Sequence, residues 1–495
     1  MKNAKKRLPL LRLPGEHDRI GADFADVGDP MKESVRKIFH WDRDFSRRML
    51  RIALPMALQN LVSASAHIVD GLMVANLGPA EYAAVTQAGR YSFLFQLFLF
   101  GASSGTAIFI SQFWGKGDRS GIHKVMSLCF RITVGLAMLF LLGSLLLPGP
   151  IMSLFLQEGR SRDLAVEYIS TVGFSYVLIA LDIVFSNTLR STGKPTVAMT
   201  AGVVSIVTNT FFNYALINGR FGFAPLGVKG AAIATVIASA VSLAVNAGYT
   251  YWKRQPGAIR LNQLAMPGRQ FTLDYLKRVL TVVLNEGLWA LGITTYGAFY
   301  GMRGDAAVNA IGVYNTVDQL MTVLLFGVVN ASAIMIGNAI GAGRRNDAIL
   351  ISRRMLFAAE ALSVVTALGI ILLREPVLAV YSKLFQETSS DSARTILLIA
   401  GCTMPFRFFN TINIVGVLRA GGDTLFSMAL DAGSVWIIGV PCVAIATKAL
   451  GLPIEGIFLA SFVEEVLKIA VGLPRFLSGK WINNLTTIGK KEARA

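Results

Sequence analysis

Four carboxylates stand where carboxylates are costly. Asp70 lies between Ile68-Val69 and Leu72-Met73, and Glu286, Asp318 and Asp431 lie inside other long apolar runs. An ionisable side chain within a membrane helix faces a cavity or a partner as a rule. Two chemistries suit such groups. A carboxylate in a low-dielectric cavity takes up a proton readily, because burial disfavours its charged form. Carboxylate and carboxamide oxygens also suit a hard cation such as Na+. Asn209 and Asn213, spaced i, i+4 on one helix face, add two such oxygens. For Asp318 and Asp431 a structural role is equally open, as ion pairs with Arg407 or Lys468, the basic residues inside apolar runs. Asp182, Glu464 and Glu465 fall nearer the ends of runs and are weaker candidates. The aromatic rings of Tyr91, Phe95, Trp289 and Tyr296 would offer an organic cation apolar and cation–π contacts, although rings at helical spacing more often serve packing.

These residues need helices to hold them. Of 495 residues, 53% are hydrophobic and 16% charged, against about 45–50% and about 25% in a typical soluble domain. A bilayer-spanning helix takes about 20 mostly apolar residues. Twelve such runs are legible, near 52–76, 89–113, 125–147, 164–188, 197–219 and 229–252, then 275–300, 308–335, 350–373, 394–418, 425–449 and 454–477. The expected fold class is therefore an all-α membrane protein. Three cysteines in apolar runs exclude a disulfide scaffold. No GxxxxGK[ST] phosphate loop is present, the histidines and cysteines show no metal-ligand spacing, and no nucleophile–base–acid set is legible, so no cofactor and no enzymatic activity are expected. The first residues, MKNAKKRLPLLRLP, lack the apolar core of a cleavable signal. Residues 31–50 read either as an amphipathic surface helix with Ile38, Phe39, Trp41 and Phe45 toward lipid, or as a solvated linker.

The net charge of +17 has a side. With the N-terminus placed in the cytoplasm, 35 of the 47 Lys and Arg fall in tails, loops and helix ends on that side and 10 on the other. That bias follows the positive-inside rule and predicts a multi-pass protein of the cytoplasmic (inner) membrane with both termini inside. The basic excess then faces anionic lipid and not nucleic acid.

The halves repeat. Gly78 matches Gly304, Phe100-Gly101 matches Phe326-Gly327, and Gly115-Lys116-Gly117 matches Gly341-Ala342-Gly343, each 226 residues apart. LRSTG at 189–193 matches LRAGG at 418–422, and Gly230 matches Gly456. Six helices is an even number, so the halves share one orientation and an axis along the membrane normal relates them. Paired repeats of this kind typify secondary transporters, with a binding site between the repeats. The division expected is a cytoplasmic tail (1–47), an N-terminal six-helix bundle (48–253), a cytoplasmic linker (254–273), a C-terminal six-helix bundle (274–479) and a cytoplasmic tail (480–495).

VDGLMVANLGPAEYAAV at 69–85, FISQFWGKGD at 109–118, LRSTGKP at 189–195, the stretch 209–235, GNAIGAG at 337–343 and GVLRAGGDT at 416–424 resemble the multidrug and toxic compound extrusion (MATE) family over residues 48–485. The resemblance implies a V-shaped pair of six-helix bundles that works as a monomer and exports amphipathic, often cationic small molecules against inward flow of Na+ or H+. It implies a cation-binding role for Asp70 in the VDG motif, with Thr235 as a further hydroxyl ligand. It aligns Glu286 with an important seventh-span glutamate. Two positions depart from the pattern: Asn213 and Asn410 stand where some relatives carry a carboxylate. The alternative is a flippase for a lipid-linked oligosaccharide, which would need an arginine-rich cavity.

Overall fold

The computed structural model describes residues 43–385 and 391–487. The helices are α1 (Arg43–Ala75), α2 (Pro79–Lys116), α3 (Arg119–Leu146), α4 (Arg160–Ser191), α5 (Pro195–Asn218) and α6 (Gly227–Trp252). The second half follows with α7 (Arg269–Gly301), α8 (Asp305–Gly341), α9 (Arg345–Phe385), α10 (Asp391–Arg419), α11 (Thr424–Ala449) and α12, which is broken at Phe462 into Ile454–Ser461 and Val463–Leu477. Helices α2 to α11 are each long and apolar enough to cross a bilayer. The fold is all-α, two six-helix bundles in one chain. At 38 residues, α2 is about 57 Å long, well beyond the roughly 30 Å hydrocarbon core, so its end projects from the membrane. Leu139, Leu142 and Leu146 of α3 and Val365, Leu368 and Leu372 of α9 are exposed at helical spacing. In water these would be apolar patches; in a bilayer they are solvated faces.

The repeat is visible in how helices end. Gly117 closes α2 at φ 75°, and its counterpart Gly343 takes φ 76°. Gly193 and Gly422 take φ 82° and 87° at the ends of α4 and α10. A residue with a Cβ would be strained there, which is why both halves keep glycine. Asp118 then caps α3 by accepting from the Gly121 amide at 2.9 Å, and Pro195 opens α5 where its missing N–H costs nothing.

The bundles touch through a pseudo-two-fold contact. A Cβ on Gly101 of α2 would meet Val283 of α7 at 2.8 Å, and one on Gly327 of α8 would meet the Ala53 carbonyl of α1 at 2.7 Å and Ala57 at 3.0 Å. Residues 57 and 283 are again 226 apart. Nearer the α2–α3 loop, Gly115 lies against the Asn338 backbone and Gly341 against that of Gln112, the same contact seen from each half. The starts of α1 and α7 cross over in the same way. Phe45, Met49 and Ala53 pack into the core of the C-terminal bundle, and Phe271, Tyr275 and Val279 into that of the N-terminal bundle. Phe45, read as lipid-facing if residues 31–50 formed a surface helix, is instead buried, with the Arg354 guanidinium over its ring; residues 1–42 lie outside the described residues. Phe271 falls in the expected linker, yet it is core, and α7 begins at Arg269. An apolar run cannot show this, because a crossing helix start carries too many charges to score as membrane. The rest of the linker is tied to α3: Arg131 donates to the Leu264 carbonyl at 2.6 Å and His123 lies 2.9 Å from the Pro256 carbonyl.

The expected C-terminal tail also begins as packed structure. Trp481 is fully buried, stacked on Phe476 and lying against Gly421. Gln112 of α2 holds the segment by donating to the Asn483 carbonyl at 3.1 Å and accepting from the Leu485 amide at 2.7 Å. Asn484 reaches the Ile340 carbonyl of α8 at 3.4 Å. The segment thus straps both bundles at the end where Gly115 packs on Asn338 and Gly341 on Gln112. Replacing Gly341 by Ala drives a Cβ into the Gln112 backbone, which has no rotamer to yield. We expect a loss of about 1–3 kcal/mol, read as a lower unfolding temperature in detergent, and a larger loss when Gly115→Ala is added.

Candidate functional site

In the N-terminal bundle three helices converge on Asp70 of α1. Asn213 of α5 donates to Asp70 Oδ1 at 2.7 Å and to Asn209 Oδ1 at 3.0 Å, and Asn209 reaches the Thr235 hydroxyl of α6 at 3.4 Å. With the Asn209 carboxamide turned over, its nitrogen lies 2.7 and 3.2 Å from the two Asp70 oxygens. Tyr168 of α4 stands beside Asp70 and Thr235. Asp70, Asn209, Asn213 and Thr235 were expected from sequence, and the structure brings all four together; Tyr168 carries no sequence signal. Carboxamides and hydroxyls present either N–H or oxygen, so the same side chains can donate to a charged carboxylate or turn oxygens toward a cation.

The C-terminal bundle is built differently, from ion pairs. Arg419 donates to Glu286 of α7 at 2.7 Å and lies 3.5 Å from the Ser104 hydroxyl of α2. Arg407 of α10 grips Asp318 of α8 with both guanidinium nitrogens and donates to Tyr314 at 2.8 Å. Lys468 of α12 lies 3.5 Å from Asp431 and from Glu464 and 3.7 Å from Glu465. Asn285 donates to Asp431 at 3.0 Å, and Asn410 to Glu465 Oε2 at 2.7 Å. From Ile412 to Arg419 α10 is π-helical. Such a widened turn is frequent at functional sites, and here it carries the chain from Asn410 to Arg419. Five carboxylates thus meet three basic groups.

Most of these groups border a cavity of about 150 Å³ lined by Glu286, Trp289, Asn410, Asp431, Glu465, Lys468, Arg407 and Arg419, with Phe100 of α2 and Phe326 of α8 among its apolar walls. Trp289 is the aromatic residue of the expected four that lines it. Tyr91 donates to the Phe140 carbonyl at 3.0 Å, and Phe95 is fully buried against Tyr176 with ring centroids 4.7 Å apart, so both sit inside the N-terminal bundle. Tyr296 is buried in the C-terminal bundle, where its hydroxyl and the Glu464 carboxylate both lie against Gly439. Asp318 is held by Arg407, the ion-pair arrangement allowed from sequence, and does not line the cavity. Arg419 falls one residue beyond the apolar run 394–418, and Glu464 and Glu465 lie near the ends of a run, so none of the three stands out from sequence. The match of LRAGG to LRSTG marked Arg419 as part of a repeated element, and Lys468 four residues after Glu464 and three after Glu465 marked a helix face of charges.

The family model described as MatE matches residues 55–215 and 288–445. The chain belongs to this family of efflux transporters. The "Probable multidrug resistance protein NorM" of Thermotoga maritima is 23% identical over 443 residues, covering 88% of this chain and 93% of the relative. The "Multidrug resistance protein MdtK" of Edwardsiella ictaluri is 24% identical, covering 80% and 86%. A solved "outward-facing conformation of a multidrug resistance MATE family transporter of the MOP superfamily" aligns with a TM-score of 0.77 at 20% identity, covering 90% of this chain and 99% of that one. As a MATE transporter the chain is a multi-pass membrane protein with small-molecule cargo and lipid around it. The flippase alternative is not favoured by these relatives.

Proposed function

We propose that the protein is a secondary active antiporter of the cytoplasmic membrane. It exports amphipathic, often cationic small molecules in exchange for Na+ or H+, works as a monomer, and keeps both termini in the cytoplasm. The observation that carries this reading is the Asp70 group: a membrane carboxylate ringed by Asn209, Asn213 and Thr235, able to hold a proton or a cation. The Trp289 ring in the cavity wall, which an organic cation can stack on, supports a cationic cargo. Coupling follows from competition. The ionised sites favour the organic cation; arrival of H+ or Na+ from outside neutralises them and releases it. The test is ethidium movement in vesicles containing the purified chain, under imposed pH and Na+ gradients separately. Gradient-dependent movement under at least one of the two is expected. No movement of ethidium or other amphipathic cations under either would overturn the reading.

A further inference from the structure

Lys468 is 3% exposed and sits among oxygens. Asp431 faces it from α11, and Glu464 and Glu465 from its own helix. Asn285 of α7 and Asn410 of α10 give their amide nitrogens to Asp431 and Glu465. That leaves both of their carboxamide oxygens buried in the cluster without a hydrogen-bond partner, while Glu464 Oε2 faces the Tyr296 hydroxyl. The other basic groups nearby are engaged elsewhere, Arg419 with Glu286 and Arg407 with Asp318. Carboxylate and carboxamide oxygens drawn from α7, α10, α11 and α12 around one monovalent positive charge is the composition of an alkali-cation site. Here the charge is tethered to the chain.

We propose that Asp431, Glu464 and Glu465 form a monovalent-cation seat that the Lys468 ammonium occupies in place of free Na+, so that the C-terminal bundle works without Na+. The proposal deepens the antiport reading and rests on it for its meaning in transport. It also explains why Asn410 is tolerated where some relatives carry a carboxylate. The negative charge is supplied from α12 instead, and a fixed cation accompanies it.

The experiment measures binding of radioactive Na+ to the purified full-length chain, all in an Asp70→Asn background that removes the N-terminal carboxylate. With Lys468 present, no saturable binding is expected. Lys468→Ala, or Lys468→Met if the alanine variant is not monodisperse, is expected to raise binding about tenfold or more. Glu464→Gln should remove the gain, and ethylammonium, which restores the missing amine, should displace the bound Na+. Saturable binding with Lys468 intact that Glu464→Gln abolishes overturns the proposal, and that arm needs no lysine variant. Equal binding with and without Lys468 overturns it as well. The measurement uses no cargo and no gradient. A chain that moves no ethidium yet shows this pattern loses the exporter reading and keeps the seat; a chain that exports ethidium without the gain keeps the former and loses the latter.

Discussion

Asp70→Asn leaves the chain folded and removes gradient-driven export. The two halves of that expectation have different physical sources. Asn at position 70 keeps one oxygen to accept from Asn213, now 2.7 Å from Asp70 Oδ1, and its new amide finds the carboxamide oxygen of Asn209 or the hydroxyl of Thr235 within the same group. The exchange of one hydrogen-bonded side chain for another of equal size costs about 1 kcal/mol or less, so the unfolding temperature in detergent should barely move. Transport is another matter, because asparagine takes up neither a proton nor a full countercharge. Coupling between two distinct sites, here the Asp70 group and the cargo cavity, is worth about 1–3 kcal/mol, or roughly 5–150-fold. Ethidium efflux driven by the gradient should therefore fall by about a hundredfold, to the level of empty vesicles. Wild-type efflux in the variant would take Asp70 out of the mechanism.

That site was largely legible in the sequence, and the reason is local. Asn209 and Asn213 are one helical turn apart, and Asp70 interrupts an apolar run, so periodicity and the cost of a buried charge suffice to single them out. The membrane fold was legible for a related reason: twelve apolar runs and five matched anchors survive without any knowledge of contacts. The crossing starts of α1 and α7 were not. Phe45 and Phe271 lie in charged, weakly apolar stretches, and only the packing shows that each serves the opposite bundle. The C-terminal network was half legible. Charges within spans announced that something polar lay there, but pairing is a property of neighbouring helices. Asp431 with Lys468 and Asp318 with Arg407 were among the pairs the sequence allowed, whereas Glu286 with Arg419 joins residues 133 apart through the π-helical turn of α10. The strap at Trp481 was invisible for the opposite reason, since one tryptophan in a polar segment has no periodicity.

The two bundles thus solve one problem twice. In the N-terminal bundle the Asp70 carboxylate is met by the carboxamides of Asn213 and Asn209. In the C-terminal bundle carboxylates are held by fixed cations, which makes them costly to disturb. Arg419→Ala should show how costly. The guanidinium is 3% exposed and the Glu286 side chain 13%, so removing the arginine leaves a carboxylate in the protein interior without its partner. Breaking a buried pair in this way costs about 3–5 kcal/mol, and the unfolding temperature should drop accordingly. Adding Glu286→Gln removes the stranded charge and should recover most of the loss, whereas Glu286→Gln alone strands Arg419 and should itself destabilise. Such a pattern, each single change worse than the double, is the signature of a coupled pair. If the double variant is instead as unstable as the sum of the singles, Arg419 contributes by packing against Ser104 and α2, and the Glu286 carboxylate is compensated by other groups around the cavity.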